Sequence, residues 1–177
     1  MGSAFRLALA LAVVASLVLL ASDQSADRVL AAGSPSVSLS AEHAAPRQVE
    51  DTTQKAVARD YAAAWQAMAD ALDQNRTDFL AADFVGTAAD KLSAGIAEQR
   101  KAGLHQRIVD KGHVVDVVFY SPEGSAMELH DTAQLELQVL DGSRVIHSEE
   151  KTVRYVALLT AAESSWKVRV LEAVPSF

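Results

Sequence analysis

The sequence predicts an α+β domain in which N-terminal helices pack on a strongly curved antiparallel sheet of four to five strands, with a cone-like shape. Three observations predict it. Apolar residues recur at helical spacing from residue 51 to about residue 101, the pattern then changes to strand-like alternation, and turn signals divide the alternating part into consecutive segments. Helices followed by consecutive antiparallel strands are typical of the α+β class.

Composition and charge narrow the possible functions. Half of the 177 residues are hydrophobic and 22% are charged, so residues 51–177 can form one globular domain. The formal net charge of −7 disfavours nucleic-acid partners and anionic lipid surfaces. The sequence has no cysteine, which excludes disulfides, iron–sulfur clusters, thiolate zinc sites and cysteine nucleophiles. We expect no cofactor.

The N-terminal residues 1–22 are predicted to be a signal peptide or a signal anchor. Arg6 precedes an apolar run from Leu7 to Ala21, and Asp23 follows it. The run spans roughly 22 Å as a helix, which is shorter than the hydrocarbon core of about 30 Å. Its flanks predict export, either as a secreted protein or as a domain anchored on the periplasmic or extracellular face of the membrane. The sequence leaves open whether the segment is cleaved.

Residues 23–50 are predicted to be a flexible tether that contains Ser, Ala and Pro, because no apolar period is sustained there. A first helix is predicted to begin near Asp51 and to end around "DQNR". A short helical segment at Thr77 to Phe84 follows. A second long helix starts at Thr87, which with Asp90 resembles a capping box, and it stops at Gly103.

The remaining chain is divided into strands by its turn signals. "SPEG" predicts a type I turn, and Asp141-Gly142 predicts a tight hairpin. The predicted strands are His105 to Val109, Val114 to Tyr120, Ala126 to Leu140, Arg144 to Thr160 and Trp166 to Val174.

Asp131 lies on the apolar face of its predicted strand, since successive side chains of a strand point to opposite sides. A plain two-residue turn pairs Asp131 with Thr152 and places Arg154 diagonal to it. A β-bulge within the polar stretch His147 to Lys151 would pair it with Val153 or Tyr155 instead. Its neighbours on that face are Met127, Leu129, Ala133, Leu135, Leu137 and Val139.

Three stretches resemble the nuclear-transport-factor-2-like superfamily: "YAAAWQAMADAL", "DFLAADFVGTAADKLSAGIAEQRKAG" and "RYVALLTAAESSWKVRVLEA". The likeness is strongest to the membrane-tethered, extracytoplasmic and non-catalytic branch. The resemblance implies a cone with a cavity, which other branches, SnoaL-like enzymes among them, use for small ligands or for catalysis. The implied cavity residues are Tyr61, Trp65, Met68, Leu129, Asp131, Ala133, Tyr155 and Trp166. For Tyr61, Trp65, Met68 and Trp166, ordinary core packing is the preferred interpretation, because large apolar and aromatic residues are usually buried in the core.

Two functions follow from these residues. In one, the protein is an exported, non-catalytic interaction or accessory domain that binds a protein partner or itself. In the other, the cavity binds a small apolar ligand or catalyses a cofactor-independent isomerase, cyclase or dehydratase reaction, with Asp131 as the base and Tyr61 or Tyr155 orienting a carbonyl. The five histidines have no metal-binding spacing, and we expect them to be exposed or partly exposed: His43, His105, His113, His130 and His147.

Overall fold

A computed structural model describes residues 35–177, and within them two α-helices and one 3₁₀ helix precede the long strands. Helix α1 spans Asp51–Asp73, the 3₁₀ helix spans Thr77–Ala82, and helix α2 spans Gly86–Lys101. The predicted amphipathic face of α1 is buried, as expected from its 3.6-residue period. Its largest buried apolar residues are Val57, Tyr61, Trp65, Met68 and Leu72.

The predicted capping box of α2 is wrong. Helix α2 begins at Gly86 after an extended Val85, and no side chain caps it. The Thr87 hydroxyl instead donates a hydrogen bond to the Arg169 carbonyl at 3.0 Å. This hydroxyl therefore fixes the start of α2 against the sheet.

The sheet has six strands and is mixed. They are β1 (Val37–Ser40), β2 (Ala45–Pro46), β3 (His105–Tyr120), β4 (Ala126–Asp141), β5 (Arg144–Ala162) and β6 (Ser165–Val174). The order is β1-β3-β4-β5-β6, and β2 also pairs with β3. The four long strands are antiparallel as predicted, whereas β1 and β2 are parallel to β3. The helices pack against this curved sheet, which is an α+β architecture.

Strands β1 and β2 lie in the segment for which a flexible tether was predicted. Val37 pairs with His113 and Ser40 with Asp116, and the Gln54 side chain of α1 donates to the Leu39 carbonyl at 2.7 Å. The side chains of Val37 and Leu39 pack against the core. Residues 37–46 are thus part of the folded domain and not of a free linker.

The β4–β5 hairpin settles the register of Asp131. Asp141 pairs with Arg144 around Gly142 and Ser143, and the pairing shifts by one residue at Ile146, because Leu140 pairs with Val145 but Val139 pairs with His147. The bulge therefore comes just before the polar stretch in which it was expected. The turn residues are Gly142 and Ser143 instead of the predicted Asp141 and Gly142, which moves the pairing by two residues, and the bulge moves it by one more, so that Asp131 pairs with Tyr155 and not with Thr152.

Strand β3 is continuous where two strands separated by a turn were predicted. Its pairing with β4 shifts between Asp110 and Gly112, so that Lys111 is an extra residue. Gly112 has a φ of +135°, a conformation that glycine adopts most easily. The bulge changes the phase of the strand and puts Asp110 and His113, three residues apart, on the same inner face.

The core lies between the helices and the concave face of the sheet. Within residues 35–177 no helix is long and apolar enough to cross a membrane. The predicted signal segment, residues 1–22, lies outside the described residues.

A buried polar cluster as the candidate functional site

Asp131 is a fully buried carboxylate at the centre of β4. Its side chain has no exposed surface. The Tyr61 hydroxyl of α1 donates to Asp131 Oδ2 at 2.8 Å, and His113 Nδ1 of β3 lies 2.8 Å from the same oxygen. One carboxylate oxygen therefore joins a helix and two strands.

His113 is held between two carboxylates. Its Nε2 lies 2.6 Å from Asp110 Oδ2 while its Nδ1 contacts Asp131. Ionised carboxylates only accept hydrogen bonds, so both ring nitrogens donate and His113 is an imidazolium. Burial lowers the pKa of His113, but the hydrogen bonds to Asp110 and Asp131 outweigh it and raise that pKa to about 9.

Three aromatic rings enclose this cluster. The Trp65 ring centroid lies 4.4 Å from that of His113 and 5.3 Å from that of Tyr155. The indole thus packs on a cationic ring, which is a favourable arrangement. Burial and the charge of Asp131 raise the pKa of Tyr155 to about 12 and that of Tyr61 well above its usual value. Both phenols are therefore neutral hydrogen-bond donors at ordinary pH.

The structure brings four of the predicted site residues together: Tyr61, Trp65, Asp131 and Tyr155. Leu129 and Ala133 flank Asp131 on β4 and are fully buried, and Met68 is buried on α1. Trp166 has a different environment. Its ring meets that of Tyr120 at 6.2 Å, and its backbone N–H donates to Asp60 Oδ2 at 2.8 Å.

His113 and Asp110 are the members of the cluster that the sequence did not predict. His113 was expected to be at least partly exposed beside a turn, but its side chain has no exposed surface. Gly112 resembled a turn residue, although it belongs to a bulge within the strand. The strand period would have identified the histidine, because it shares odd numbering with the buried residues Val115 and Val117.

The centre of the cluster is closed to the surface, because the side chains of His113 and Asp131 have no exposed area, whereas 11% of the Asp110 side chain is exposed. Two shallow surface concavities of the described residues lie elsewhere, where β1 meets the start of α1, and neither includes a cluster residue. They are lined by Val37, Leu39, Ser40, Ala41, Glu42, Val49, Asp51, Gln54, Lys55 and Ala58. Residues 35–177 also contain no group of three or more His, Asp or Glu side chains suited to a metal ion.

No protein-family model and no curated protein matches the sequence. The fold is similar to the intermembrane-space region of the chloroplast protein ARC6, with a TM-score of 0.62 and 17% identity over 74% of this chain and 100% of that one.

A looser likeness is to Aln2 from a Streptomyces species, with a TM-score of 0.46 and 16% identity over 72% of this chain and 94% of that one. Another is to Kfla4162 from Kribbella flavida, with a TM-score of 0.47 and 13% identity over 72% of this chain and 93% of that one. At these identities the likeness concerns the fold alone. The chain has the α+β fold, helices on a curved sheet, that its resemblance to the nuclear-transport-factor-2-like superfamily predicted.

Proposed function

We propose that this chain is a non-catalytic protein-interaction domain that works outside the cytoplasm. The observation that carries the proposal is the enclosure of Asp131, the candidate base. Its side chain has no exposed surface, and its Oδ2 already accepts hydrogen bonds from Tyr61 and His113. A general base must reach a substrate proton within hydrogen-bond distance. A sealed carboxylate of this kind stabilises a fold instead.

The outer face of the sheet is the surface we propose for docking. Val114 of β3 pairs with Thr132 and is 61% exposed, and Phe119 of β3 pairs with Glu128 and is 37% exposed. These side chains point away from Asp131. Phe177 stacks on His130 of the same face, with ring centroids 4.5 Å apart, and is 53% exposed. Several exposed apolar side chains on one face of a sheet favour contact with a protein partner or with a second copy.

The location outside the cytoplasm is supported by the N-terminal sequence. A basic residue, an apolar run and then an acidic residue are typical of an export signal or anchor. The similar ARC6 region is described as the intermembrane-space region of a chloroplast protein. We propose that the N-terminal segment, residues 1–22, is the part of this chain that contacts the membrane.

The outer-face proposal is tested by charge substitution. Phe119→Asp and Val114→Asp should each abolish concentration-dependent self-association in sedimentation experiments, and Val114→Asp should abolish photo-crosslinking to a partner from a probe at residue 119. Val145→Asp is the matched control, because Val145 is 44% exposed but lies at the hairpin tip. A chain that stays monomeric at every concentration, and whose crosslinks from residue 119 match those from residue 145, would contradict the proposal.

A second candidate is a small-molecule-binding or isomerase-type domain. The observation that favours it is that Tyr155, opposite Asp131, is only partly buried, so that a movement of its ring would open a path to the carboxylate. Native mass spectrometry of the purified full chain tests this. A stoichiometric bound compound that is lost in Tyr155→Trp, a variant with a larger ring in the path, would favour this candidate.

A further inference from the structure

The three residues that follow β6, segment 175–177, lie over the outer face of the sheet. The Arg154 side chain of β5 donates from Nη1 to the Pro175 carbonyl at 3.3 Å. The Phe177 ring stacks on the His130 ring of β4, with centroids 4.5 Å apart and an angle of 11° between the planes. Because β5 lies between β4 and β6 in the sheet, the segment crosses β5.

Segment 175–177 is held in place by few contacts. Strand β6 ends at Val174, and the segment pairs with no strand among residues 35–177. All three of its residues are exposed, Phe177 to 53%. An aromatic stack changes an equilibrium constant by about twofold to tenfold. The segment can therefore leave the sheet at small cost and without breaking β6.

The surface along the path of segment 175–177 is apolar on β5. Val156 of β5 pairs with His130 of β4 and with Glu172 of β6. Its side chain lies on the same outer face as that of His130, because directly paired residues of an antiparallel sheet share a face. Val156 is partly buried, whereas Val114 on β3, beyond the path of the segment, is 61% exposed. The segment thus covers an apolar continuation of the docking surface.

We propose that segment 175–177 is a displaceable cover of the docking surface, which a partner must move before it contacts His130 and Val156. This role rests on the proposed function of the outer face. The Phe177 ring occupies the apolar surface until the partner replaces it. The apparent affinity for a partner is then reduced by the fraction of molecules in which the surface is uncovered. Removal of the Phe177 ring therefore strengthens association.

The accessibility of residue 156 tests the cover independently of docking. The sequence has no cysteine, so Val156→Cys gives the full chain a single thiol. At concentrations at which the chain is monomeric, Phe177→Ala should accelerate alkylation of this thiol by about twofold to tenfold. Val145→Cys at the hairpin tip is the control, and its alkylation rate should not depend on Phe177. An unchanged rate at residue 156, or an equal rise at residue 145, would overturn the cover.

Sedimentation of the full chain tests the effect of the cover on docking, with a second copy of the chain as the partner. Each copy carries one segment, so Phe177→Ala should raise the dimerisation constant by about fourfold or more. Ser176→Ala should leave this constant unchanged. The rise should disappear when both chains also carry Phe119→Asp, because the gain then comes from the outer face.

The failures of the cover and of the docking surface can be told apart. Equal or weaker dimerisation in Phe177→Ala would overturn the cover and leave the docking surface in place, since association would persist. Weaker dimerisation would identify the Phe177 ring as a contact of the partner itself. No association of either the natural chain or Phe177→Ala would count against docking between copies, and the cover would fall with it even if alkylation of residue 156 became faster.

Discussion

The buried carboxylate of Asp131 is tolerated because its neighbours supply charge and hydrogen bonds in place of water. A buried ion pair contributes little net stability compared with apolar packing, yet breaking it leaves an uncompensated charge. His113 and Tyr61 come from β3 and α1, so the cost of removing Asp131 is spread over three elements.

Asp131→Asn should therefore destabilise the fold without changing association through the outer face. The amide removes the negative charge between His113 and Tyr61 and places N–H donors where acceptors are needed. We expect the free energy of unfolding to fall by about 3 kcal/mol in urea denaturation. Asp116→Asn, whose residue pairs with His130 on the opposite face, should cost far less. An Asp131→Asn chain that keeps its stability but loses a detected turnover would restore the enzyme hypothesis.

Stability should also fall with rising pH because of His113. Its pKa is about 9 in the fold against 6.5 for the free group. Because folding raises this pKa, the stabilisation is complete below pH 6.5 and is lost as the pH rises through 9. The total loss of unfolding free energy is about 3 kcal/mol. The difference in unfolding free energy between the natural chain and His113→Gln should therefore shrink over this interval. A difference in unfolding free energy between the two chains that stays constant over this interval would refute the buried imidazolium.

At the scale of the element, the bulge in β3 makes the cluster possible. In a regular strand, residues three apart lie on opposite faces, so Asp110 and His113 could not meet. The extra residue Lys111 reverses the phase, and Gly112 adopts the φ of +135° that the bulge requires. A local backbone irregularity thus assembles the two unexpected residues of the site.

Two glycine-to-alanine substitutions should change the unfolding free energy in opposite directions. Gly112→Ala places a side chain at a strained φ, and we expect it to lower the unfolding free energy by about 1–3 kcal/mol and to shift the His113 ring resonances. Gly95→Ala lies within α2, where an added Cβ meets nothing within 4 Å, and it should stabilise the chain by about 0.5–1 kcal/mol. Equal effects at the two positions would show that the bulge does not depend on glycine.

At the scale of the whole molecule, local patterns predicted most elements but not their long-range contacts. The helices and the long strands follow from periods of 3.6 and 2 that are visible over many residues. Strand β1 has four residues, "VSLS", within a Ser- and Ala-containing stretch, and only its pairing with β3 makes it a strand. The partner of Asp131 depended on the position of the turn at Gly142 and Ser143 and on one bulge at Ile146, and that of His113 on another bulge at Lys111. A change in the phase of apolar alternation indicates that a bulge is near, as it did for β5, but it does not give the residue at which the register shifts.

The boundary of the domain is therefore a property of the whole fold, and it can be measured. A chain beginning at residue 51 lacks β1 and β2, which removes the packing of Val37 and Leu39 and the bond from Gln54 to the Leu39 carbonyl. Compared with a chain beginning at residue 35, we expect its unfolding free energy to be lower by about 2 kcal/mol or more.

The bare edge of β3 should also make the shorter chain self-associate, because unpaired strand edges are templates for pairing. Urea denaturation and size-exclusion chromatography of the two chains measure both effects. Lys55→Gln in the longer chain serves as the control, since it changes an α1 side chain near β1 without removing the strand. Equal stability and equal elution of the two chains would mean that residues 37–46 do not belong to the cooperative unit, and that the tether extends to α1 as its sequence first indicated.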